Sequence, residues 1–222
     1  MTRLALFDLD HTLLSGDSDV LWCEFLIEEG LLDRVEFGPR NREMAERYAR
    51  GAASAEEFCG FYAQTLAGAR RETRQPLRER FLTDVIAPRI GAPARALVEH
   101  HRGRGDRLVL STATNRYLTE LTARELGIDD LLATEVEIVD GIFTGRLAGV
   151  PNMRDGKVVR LRAWLLEQQL AESVLEAATF YSDSGNDLPL LMAVGHPVVV
   201  DPDQALAARA VRSGWPMLRL VD

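Results

Sequence analysis

The chain alternates short apolar runs with amphipathic stretches, and acids follow the first apolar run at once. Leu4–Phe7 carries four apolar side chains, which is typical of a buried strand. Asp8 and Asp10 stand where that strand is predicted to end. In open parallel α/β sheets, ligands bind outside the carboxyl ends of the strands. The pattern therefore predicts a reactive site around these two carboxylates.

The next part of the chain, residues 16–90, has helical spacing and contains no convincing strand. Four helices are predicted, the first capped by Asp17 or Ser18 and the third by a capping box of Ser54 and Glu57. The predicted helices span 19–29, 40–50 after Pro39, 55–67 and 75–86. Four such helices can bury one another's apolar faces as a small bundle. We expect this block to form a cap over the carboxyl ends of the strands.

Strands and helices alternate after Pro93, which predicts a parallel sheet with right-handed crossovers. The predicted strands are 106–110, 179–181, 198–200 and an edge strand at 217–220; the predicted helices are 94–102, 115–126, 156–169, 187–192 and 204–211. Asp140-Gly141 predicts a hairpin between 136–139 and 142–146. The expected fold is α/β, with a Rossmann-like parallel-sheet core of residues 1–15 and 91–222. The all-helical cap of residues 16–90 is inserted after the first strand.

Composition argues against several classes of protein. A length of 222 residues fits one domain, or one domain with a smaller insertion. The net charge of -8 and the lack of a long basic run argue against nucleic-acid binding. Cys23 and Cys59 match neither a disulfide framework nor a zinc motif. Without an apolar signal region or a run long enough to span a bilayer, we expect a cytoplasmic monomer or homodimer with no membrane partner.

Polar side chains at four places in the sequence fit one kind of chemistry. They are Asp8, Asp10 and Thr12; Ser111 and Thr112; Lys157; and Asp183 and Asp187. Gathered carboxylates repel, at about 4 kcal/mol for two charges ~4 Å apart at an effective dielectric near 20. Such a site retains a proton or binds a cation, and oxygen ligands without His or Cys favour Mg²⁺. A cation attracts phosphate oxygens, to which Lys157 and Ser111 could also donate.

These motifs resemble those of the haloacid dehalogenase-like phosphatases. That family carries DxDx[TV] after its first strand, then a Ser or Thr, a Lys and paired acids. The corresponding segments here are FDLDHT at 7–12, Ser111-Thr112, Lys157 and DSGND at 183–187. The helical insert matches the family's first cap position, and its size resembles the phosphoserine-phosphatase-type branch. The resemblance implies a Mg²⁺-dependent phosphatase acting on a small-molecule phosphate monoester.

The resemblance also implies roles for individual residues. Asp8 would be the nucleophile that forms an aspartyl-phosphate, and Asp10 the general acid and then the base. Asp8, the Asp10 backbone carbonyl and Asp183 would hold Mg²⁺. The residues that would support these ligands are Thr12, Asn186 and Asp187. The residues that would bind the phosphoryl oxygens are Ser111, Thr112 and Lys157.

Asp17 has two interpretations. In the phosphoserine-type branch an acid near this position meets the substrate's amino group, which makes histidinol phosphate and phosphoserine candidate substrates. The alternative is that Asp17 only caps the first helix. The cap arginines that could bind a substrate carboxylate are Arg42, Arg47 and Arg50, and the sequence does not choose among them.

Structural interpretations compete at the other positions too. Ser111 and Asp187 could be ordinary helix caps, and Lys157 a solvated lysine, although it is the only lysine in the chain. Two other reactions are possible on the same fold. One is dehalogenation, but haloacid dehalogenases need no Mg²⁺ and lack an acid at the Asp10 position. The other is phosphotransfer. A non-catalytic phosphate-binding regulator is a further alternative, against which intact Asp8 and Asp10 argue.

Overall fold

The structure is a computed structural model that describes residues 2–220. Its strands are β1 (Leu4–Phe7), β2 (Arg107–Asn115), β3 (Asp130–Thr134), β4 (Val136–Val139), β5 (Ile142–Leu147), β6 (Thr179–Ser182), β7 (His196–Val200) and β8 (Met217–Leu218). Its α-helices are α1 (Ser18–Glu28), α2 (Arg34–Ala49), α3 (Ala55–Gln64), α4 (Arg71–Arg80), α5 (Ala92–Gly103), α6 (Arg116–Glu125), α7 (Asp155–Glu167), α8 (Leu188–Ala193) and α9 (Gln204–Ser213). Within the described residues, none of these helices combines the length and apolarity needed to cross a bilayer.

Six parallel strands form one sheet in the order β3-β2-β1-β6-β7-β8, which confirms the predicted α/β fold. β1 lies near the middle and pairs with β2 on one side and β6 on the other. Phe7, its last residue, is level with Leu110 of β2 and Tyr181 of β6. The residues that follow these positions therefore meet at the carboxyl edge of the sheet.

Helices cover both faces of the sheet because β1 is apolar on both sides. Ala5 and Phe7 pack into one buried cluster, which includes Val98 of α5 and Leu118 of α6. Leu6 points to the opposite face and packs into a second cluster with side chains of α7, α8 and α9. Burying side chains of this size contributes roughly 1.5–3 kcal/mol each. This packing fixes β1, and with it the start of the Asp8 segment.

The elements that the structure describes between residues 16 and 90 are helical, as expected. Phe58 and Tyr62 of α3 pack with Cys23 of α1 in a third buried cluster. The β4–β5 hairpin is also confirmed, and it extends this side of the molecule: Phe143 exchanges backbone hydrogen bonds of 2.9 and 3.0 Å with Gly68 and Ala69. The division into a core of residues 1–15 and 91–222 and a cap of residues 16–90 stays a prediction.

The helices α2 and α4 begin well before their predicted starts at residues 40 and 75, and each contains a proline that the prediction placed at or before the first turn. α2 starts at Arg34, five residues before Pro39, because the Asp33 side chain accepts a hydrogen bond from Glu36 N and caps the helix there. α4 starts at Arg71 and contains Pro76, then continues as a π-helical turn, Phe81–Ile86. Each proline is the sixth residue of its helix, just beyond the four N–H groups that have no intrahelical partner, so each costs its helix one hydrogen bond.

The strand β2 is longer than predicted, and β3 was not predicted. Ser111 to Thr114 were expected to form a loop after residue 110, yet the strand continues to Asn115. The four side chains in question are buried, and threonine's branched Cβ suits a strand. The polar residues did not indicate a strand. They can be buried in one because their hydroxyls find partners inside the protein, and those partners are visible only in the tertiary structure.

Candidate active site

Asp8 follows β1 at the carboxyl edge of the sheet and is 6% exposed. Its backbone N–H donates to the carbonyl of Tyr181, 2.9 Å away, so the residue continues the pairing of β1 with β6. The side chain is thereby aimed at the loop that leaves β6. This is the position that the alternation of apolar and polar residues predicts.

The Lys157 ammonium joins two acids in the interior of the site. Its Nζ lies 2.7 Å from Asp8 Oδ1 and 2.6 Å from Asp187 Oδ2. Burial alone would lower the pKa of Lys157, but the charges of Asp187 and Asp8 raise it overall. Ser182 Oγ donates to the same Asp187 oxygen at 2.8 Å. Lys157 is thus a buried charged group and not a solvated lysine, and the Asp187 carboxylate makes no capping bond to α8.

The hydroxyl of Thr12 connects Asp8 with Asp183. Thr12 Oγ1 lies 3.3 Å from Asp8 Oδ2 and 3.1 Å from Asp183 Oδ1, and it accepts a hydrogen bond of 3.1 Å from Asp183 N. Burial raises the pKa of both carboxyls, and the charge of Asp187 raises it further; Lys157 only partly offsets this. The pKa of Asp183 rises to about 7. The uncompensated negative charge makes this corner attractive to a cation.

The oxygen donors beside Thr12 suit Mg²⁺ better than a metal that takes all of its ligands from the protein. Among residues 2–220, no three His, Cys, Asp or Glu side chains are arranged to ligate a metal together. The predicted set uses only two side chains, Asp8 and Asp183, with the Asp10 carbonyl. Mg²⁺ is commonly bound by one or two carboxylates and keeps several waters. The two carboxylates are donors of the kind that Mg²⁺ binds, and Mg²⁺ at this site stays a prediction.

Asp10 is held by a separate set of donors. Its Oδ1 accepts a hydrogen bond of 2.6 Å from Ser18 N, in the first turn of α1. Its Oδ2 accepts bonds of 3.2 and 3.0 Å from the hydroxyls of Thr112 and Thr114 in β2. Three donors fix the orientation of this carboxylate, and one of them belongs to the helical segment. A movement of α1 would therefore change the environment of Asp10.

The structure separates Ser111 from Thr112, which were predicted to bind phosphate together. Thr112 and Thr114 face Asp10, as residues two apart on a strand share a face. Ser111 is fully buried, and its hydroxyl accepts a hydrogen bond of 3.1 Å from Asn152. The contact of Ser111 with phosphate stays a prediction, and Asn152 is the partner observed for this hydroxyl. Thr114 was missed, although the spacing Thr112–Thr114 could have indicated it.

Two further residues tie the loop before Lys157 to the site and were missed in the sequence. Asn152 Nδ2 lies 3.0 and 2.9 Å from the carbonyls of Thr112 in β2 and Leu132 in β3. Arg154 Nε donates to Asn186 Oδ1 at 3.0 Å, and Nη2 donates to the carbonyl of Ala53 at 2.9 Å. Arg154 thereby joins Asn186 to the helical segment. Neither residue belongs to a recognisable motif.

Asp17 is the N-cap of α1 and also lines the open part of the site. Its Oδ1 accepts hydrogen bonds of 3.0 Å from the backbone N–H groups of Asp19 and Val20, so its predicted capping role is confirmed. Burial, followed by the charge of Asp10, raises the pKa of Asp17 to about 7. A bound ammonium group would favour the ionised form of this carboxyl.

A cavity of about 1070 Å³ opens over the site, between the sheet edge and helices α1 and α2. Asp17, Asp183 and Asn186 contribute to one part of its wall. Tyr48 of α2 and Arg50, the residue that follows α2, contribute to another. The other two cap arginines lie differently: Arg47 pairs with Glu57 at 2.8 Å and Arg42 is exposed. The volume is in the range of cavities that bind small molecules.

Comparison with known proteins identifies close relatives over the whole length. Residues 5–192 match the sequence family described as haloacid dehalogenase-like hydrolases. A histidinol-phosphatase from Neisseria meningitidis is 36% identical over 219 residues, which cover 98% of this chain and 99% of that protein. A crystal structure of a protein of unknown function from Bordetella pertussis is 42% identical and superposes with a TM-score of 0.93 over all of both chains. A substrate-bound phosphoserine phosphatase, 17% identical, shares the fold with a TM-score of 0.69 over 94% of this chain and 90% of its own.

Proposed function

Because this chain belongs to the haloacid dehalogenase-like hydrolase family, we propose that it hydrolyses the phosphate monoester of a small metabolite through an aspartyl-phosphate on Asp8. The observation that carries the proposal is the buried ammonium of Lys157 between Asp8 and Asp187. A carboxylate in this setting can approach a phosphorus atom without the full repulsion between two anions, because the lysine balances part of the charge. The relatives named as phosphatases agree with this chemistry.

In the first step, an Asp8 carboxylate oxygen attacks phosphorus. A bond forms between that oxygen and phosphorus, and the bond from phosphorus to the ester oxygen breaks. Asp10 donates its proton to the departing alkoxide, so the first product leaves as a neutral alcohol. The three donors that hold Asp10 would keep its carboxyl directed at the leaving group throughout this step.

In the second step, Asp10 is a carboxylate and takes a proton from water. The oxygen of that water attacks phosphorus, and the bond between phosphorus and Asp8 breaks. Inorganic phosphate leaves and the Asp8 carboxylate is restored, while Asp10 regains the proton that it needs for the next cycle. One residue thus serves as acid and then base, which requires a fixed position close to both oxygens.

Mg²⁺ would be held by Asp8, Asp183 and the Asp10 carbonyl, and would supply positive charge against the phosphoryl oxygens. The Thr12 hydroxyl lies within hydrogen-bond distance of both carboxylates and can donate its one proton to either of them. Asp187 supports Lys157, and Asn186 is braced by Arg154. Of the predicted phosphoryl-binding residues, Lys157 has the strongest support, because it contacts Asp8 directly. The Thr112 hydroxyl donates to Asp10, and its contact with the phosphoryl group remains part of the proposal.

The substrate that we favour carries an amine, as histidinol phosphate does. The relative named histidinol-phosphatase aligns over essentially the whole chain, and Asp17 provides a carboxylate on the cavity wall. Phosphoserine is the second candidate, since another relative, 32% identical, is named a phosphoserine phosphatase. On the carbon that carries the amine, phosphoserine has a carboxylate where histidinol phosphate has an imidazolylmethyl group.

A panel of phosphate monoesters tests the function. We expect phosphate release with Mg²⁺ present, loss of release after treatment with a chelator, and recovery when Mg²⁺ is restored. Binding of the esters without turnover would contradict the hydrolase and favour a regulator. Transfer of the phosphoryl group to an added alcohol in preference to water would favour a phosphotransferase. Turnover that the chelator does not affect would contradict the assignment of Mg²⁺.

Asp17→Asn separates recognition of an amine from helix capping, because asparagine caps a helix as well as aspartate does. Hydrogen bonds to charged groups contribute about 1.5–3 kcal/mol, so we expect kcat/KM for an amine-bearing ester to fall about ten- to a hundredfold. An ester without an amine, such as p-nitrophenyl phosphate, should retain the parent kcat/KM. Steady-state kinetics on both esters provides the measurement, and equal losses on the two would dismiss the recognition role.

A further inference from the structure

We propose that Tyr48 of α2 is a catalytic residue of this site, whose hydroxyl donates a hydrogen bond to a phosphoryl oxygen of the bound ester. The inference rests on the proposed function and extends it, because it assigns part of the phosphoryl-binding site to the helical segment. The predicted phosphoryl-binding residues all lie outside that segment.

Tyr48 stands on the cavity wall, in the last turn of α2. Asp183 and Asn186, from the loop after β6, line the same cavity. The Tyr48 ring stacks on Phe58 of α3, with centroids 4.2 Å apart and planes inclined by 28°. Phe58 is itself buried in the third cluster. The ring is therefore held in place from one side, and its polar end is left to the cavity.

The Tyr48 hydroxyl differs from those of the other three tyrosines. Tyr62 donates to Asn41 Oδ1 at 3.0 Å, Tyr117 donates to the carbonyl of Arg71 at 3.3 Å, and the Tyr181 hydroxyl lies 2.8 Å from a nitrogen of His101. Within residues 2–220, the Tyr48 hydroxyl has no such protein partner. Buried or half-buried tyrosine hydroxyls normally find one. The Tyr48 hydroxyl on the cavity wall is therefore free to donate to a ligand bound there.

Burial and the nearby carboxylates favour the protonated form of the Tyr48 hydroxyl. Burial raises the pKa of Tyr48 well above its ordinary value, and the charges of Asp187 and Asp8 raise it more than the charge of Asp17 does. The phenol therefore stays protonated and can donate to an acceptor. Tyr48 shares the cavity wall with Asp183, a residue predicted to hold the Mg²⁺ that faces the phosphoryl oxygens, and this points to a phosphoryl oxygen as the acceptor.

This placement gives a neutral donor a specific use. The site already holds several carboxylates, and a phosphate dianion needs donors that add no further negative charge. A fixed hydroxyl in a site with little water stabilises charge on the phosphoryl oxygens without reorganisation. Because Tyr48 belongs to α2, full stabilisation would require the helical segment to lie over the sheet edge. The helical segment would then contribute to the chemical step as well as to substrate choice.

Tyr48→Phe tests the inference, because phenylalanine keeps the ring stacked on Phe58 and removes only the hydroxyl. Removing a hydrogen bond to a charged group predicts a fall in kcat/KM of about ten- to a hundredfold. The loss should be the same for p-nitrophenyl phosphate and for an amine-bearing ester, since both present the same phosphoryl group. The inhibition constant of inorganic phosphate should rise, and the melting temperature should stay that of the parent.

Tyr62→Phe is the matched control, since it removes the hydroxyl that bonds to Asn41 inside the helical segment. It should lower the melting temperature and leave kcat/KM unchanged. A Tyr48→Phe protein with the parent kcat/KM, or with a loss confined to one class of ester, would overturn the inference while the proposed function stands. A parent protein that hydrolyses no phosphate monoester would overturn the proposed function and the inference together.

Discussion

Asp8→Asn is expected to abolish phosphate release while the protein remains folded. An amide cannot attack phosphorus, and losing a covalent nucleophile usually costs about 10³-fold or more in kcat. The amide oxygen can still accept the hydrogen bond from Lys157, so the contact observed at 2.7 Å has a substitute. Phosphate release measured with Mg²⁺, beside thermal unfolding, provides the test. Activity above about a hundredth of the parent would remove Asp8 as the nucleophile.

The control for this variant is Asp33→Asn. Asp33 caps α2 by accepting a hydrogen bond from Glu36 N, and asparagine preserves such a cap. The Asp33→Asn protein should have the activity of the parent. That result would show that loss of a carboxylate elsewhere in the chain does not stop turnover. The intact mass of the Asp8→Asn protein should be checked, because deamidation of the new asparagine would restore the nucleophile in part of the sample.

Lys157→Met is expected to affect both turnover and stability. Removing the ammonium leaves Asp8 and Asp187 buried without their shared partner. Breaking a buried ion pair by removing one member typically costs about 3–5 kcal/mol in the free energy of unfolding. Turnover should be lost as well, since no other side chain contacts Asp8 with a positive charge among the residues that the structure describes. Urea unfolding and phosphate release measure the two effects.

A second variant separates the two effects of Lys157. Lys157→Met/Asp187→Asn removes one of the uncompensated charges, so its free energy of unfolding should lie between those of Lys157→Met and the parent. Its turnover should remain lost, because the ammonium beside Asp8 is still absent. If Lys157→Met unfolds at the parent urea concentration, the buried ion pairs do not exist in solution. If Lys157→Met turns over normally, Lys157 has no part in the chemistry.

The sequence predicted the centre of the site because there the local pattern and the tertiary position agree. An apolar run followed by Asp8 and Asp10 has to end at a sheet edge, and parallel strands bring their carboxyl ends to the same edge. The resemblance of the four motifs to the haloacid dehalogenase-like family agrees with the relatives found. It also located Lys157 correctly at the start of a helix, where its side chain can reach Asp8.

Sequence reasoning predicted less where tertiary contacts determine which side chains meet. Ser111 and Thr112 are neighbours in sequence, but a strand directs them to opposite faces, so only Thr112 reaches Asp10. The opposite orientations of Ser111 and Thr112 could not be predicted, because the predicted strand ended at residue 110. Arg154 joins Asn186 to the carbonyl of Ala53, about a hundred residues away along the chain. A backbone carbonyl has no signature in the sequence, so this contact could not be predicted.

The most direct test of the account is to look for the phosphoryl group on Asp8. The protein is quenched in acid during turnover of p-nitrophenyl phosphate, and the peptide that contains Asp8 is analysed by mass spectrometry. The account predicts a phosphorylated Asp8 in the parent and a larger amount in Asp10→Asn, because p-nitrophenolate leaves without an acid while the attacking water lacks its base. A sample that is releasing phosphate but carries no phosphoryl group on Asp8 in either protein would contradict it.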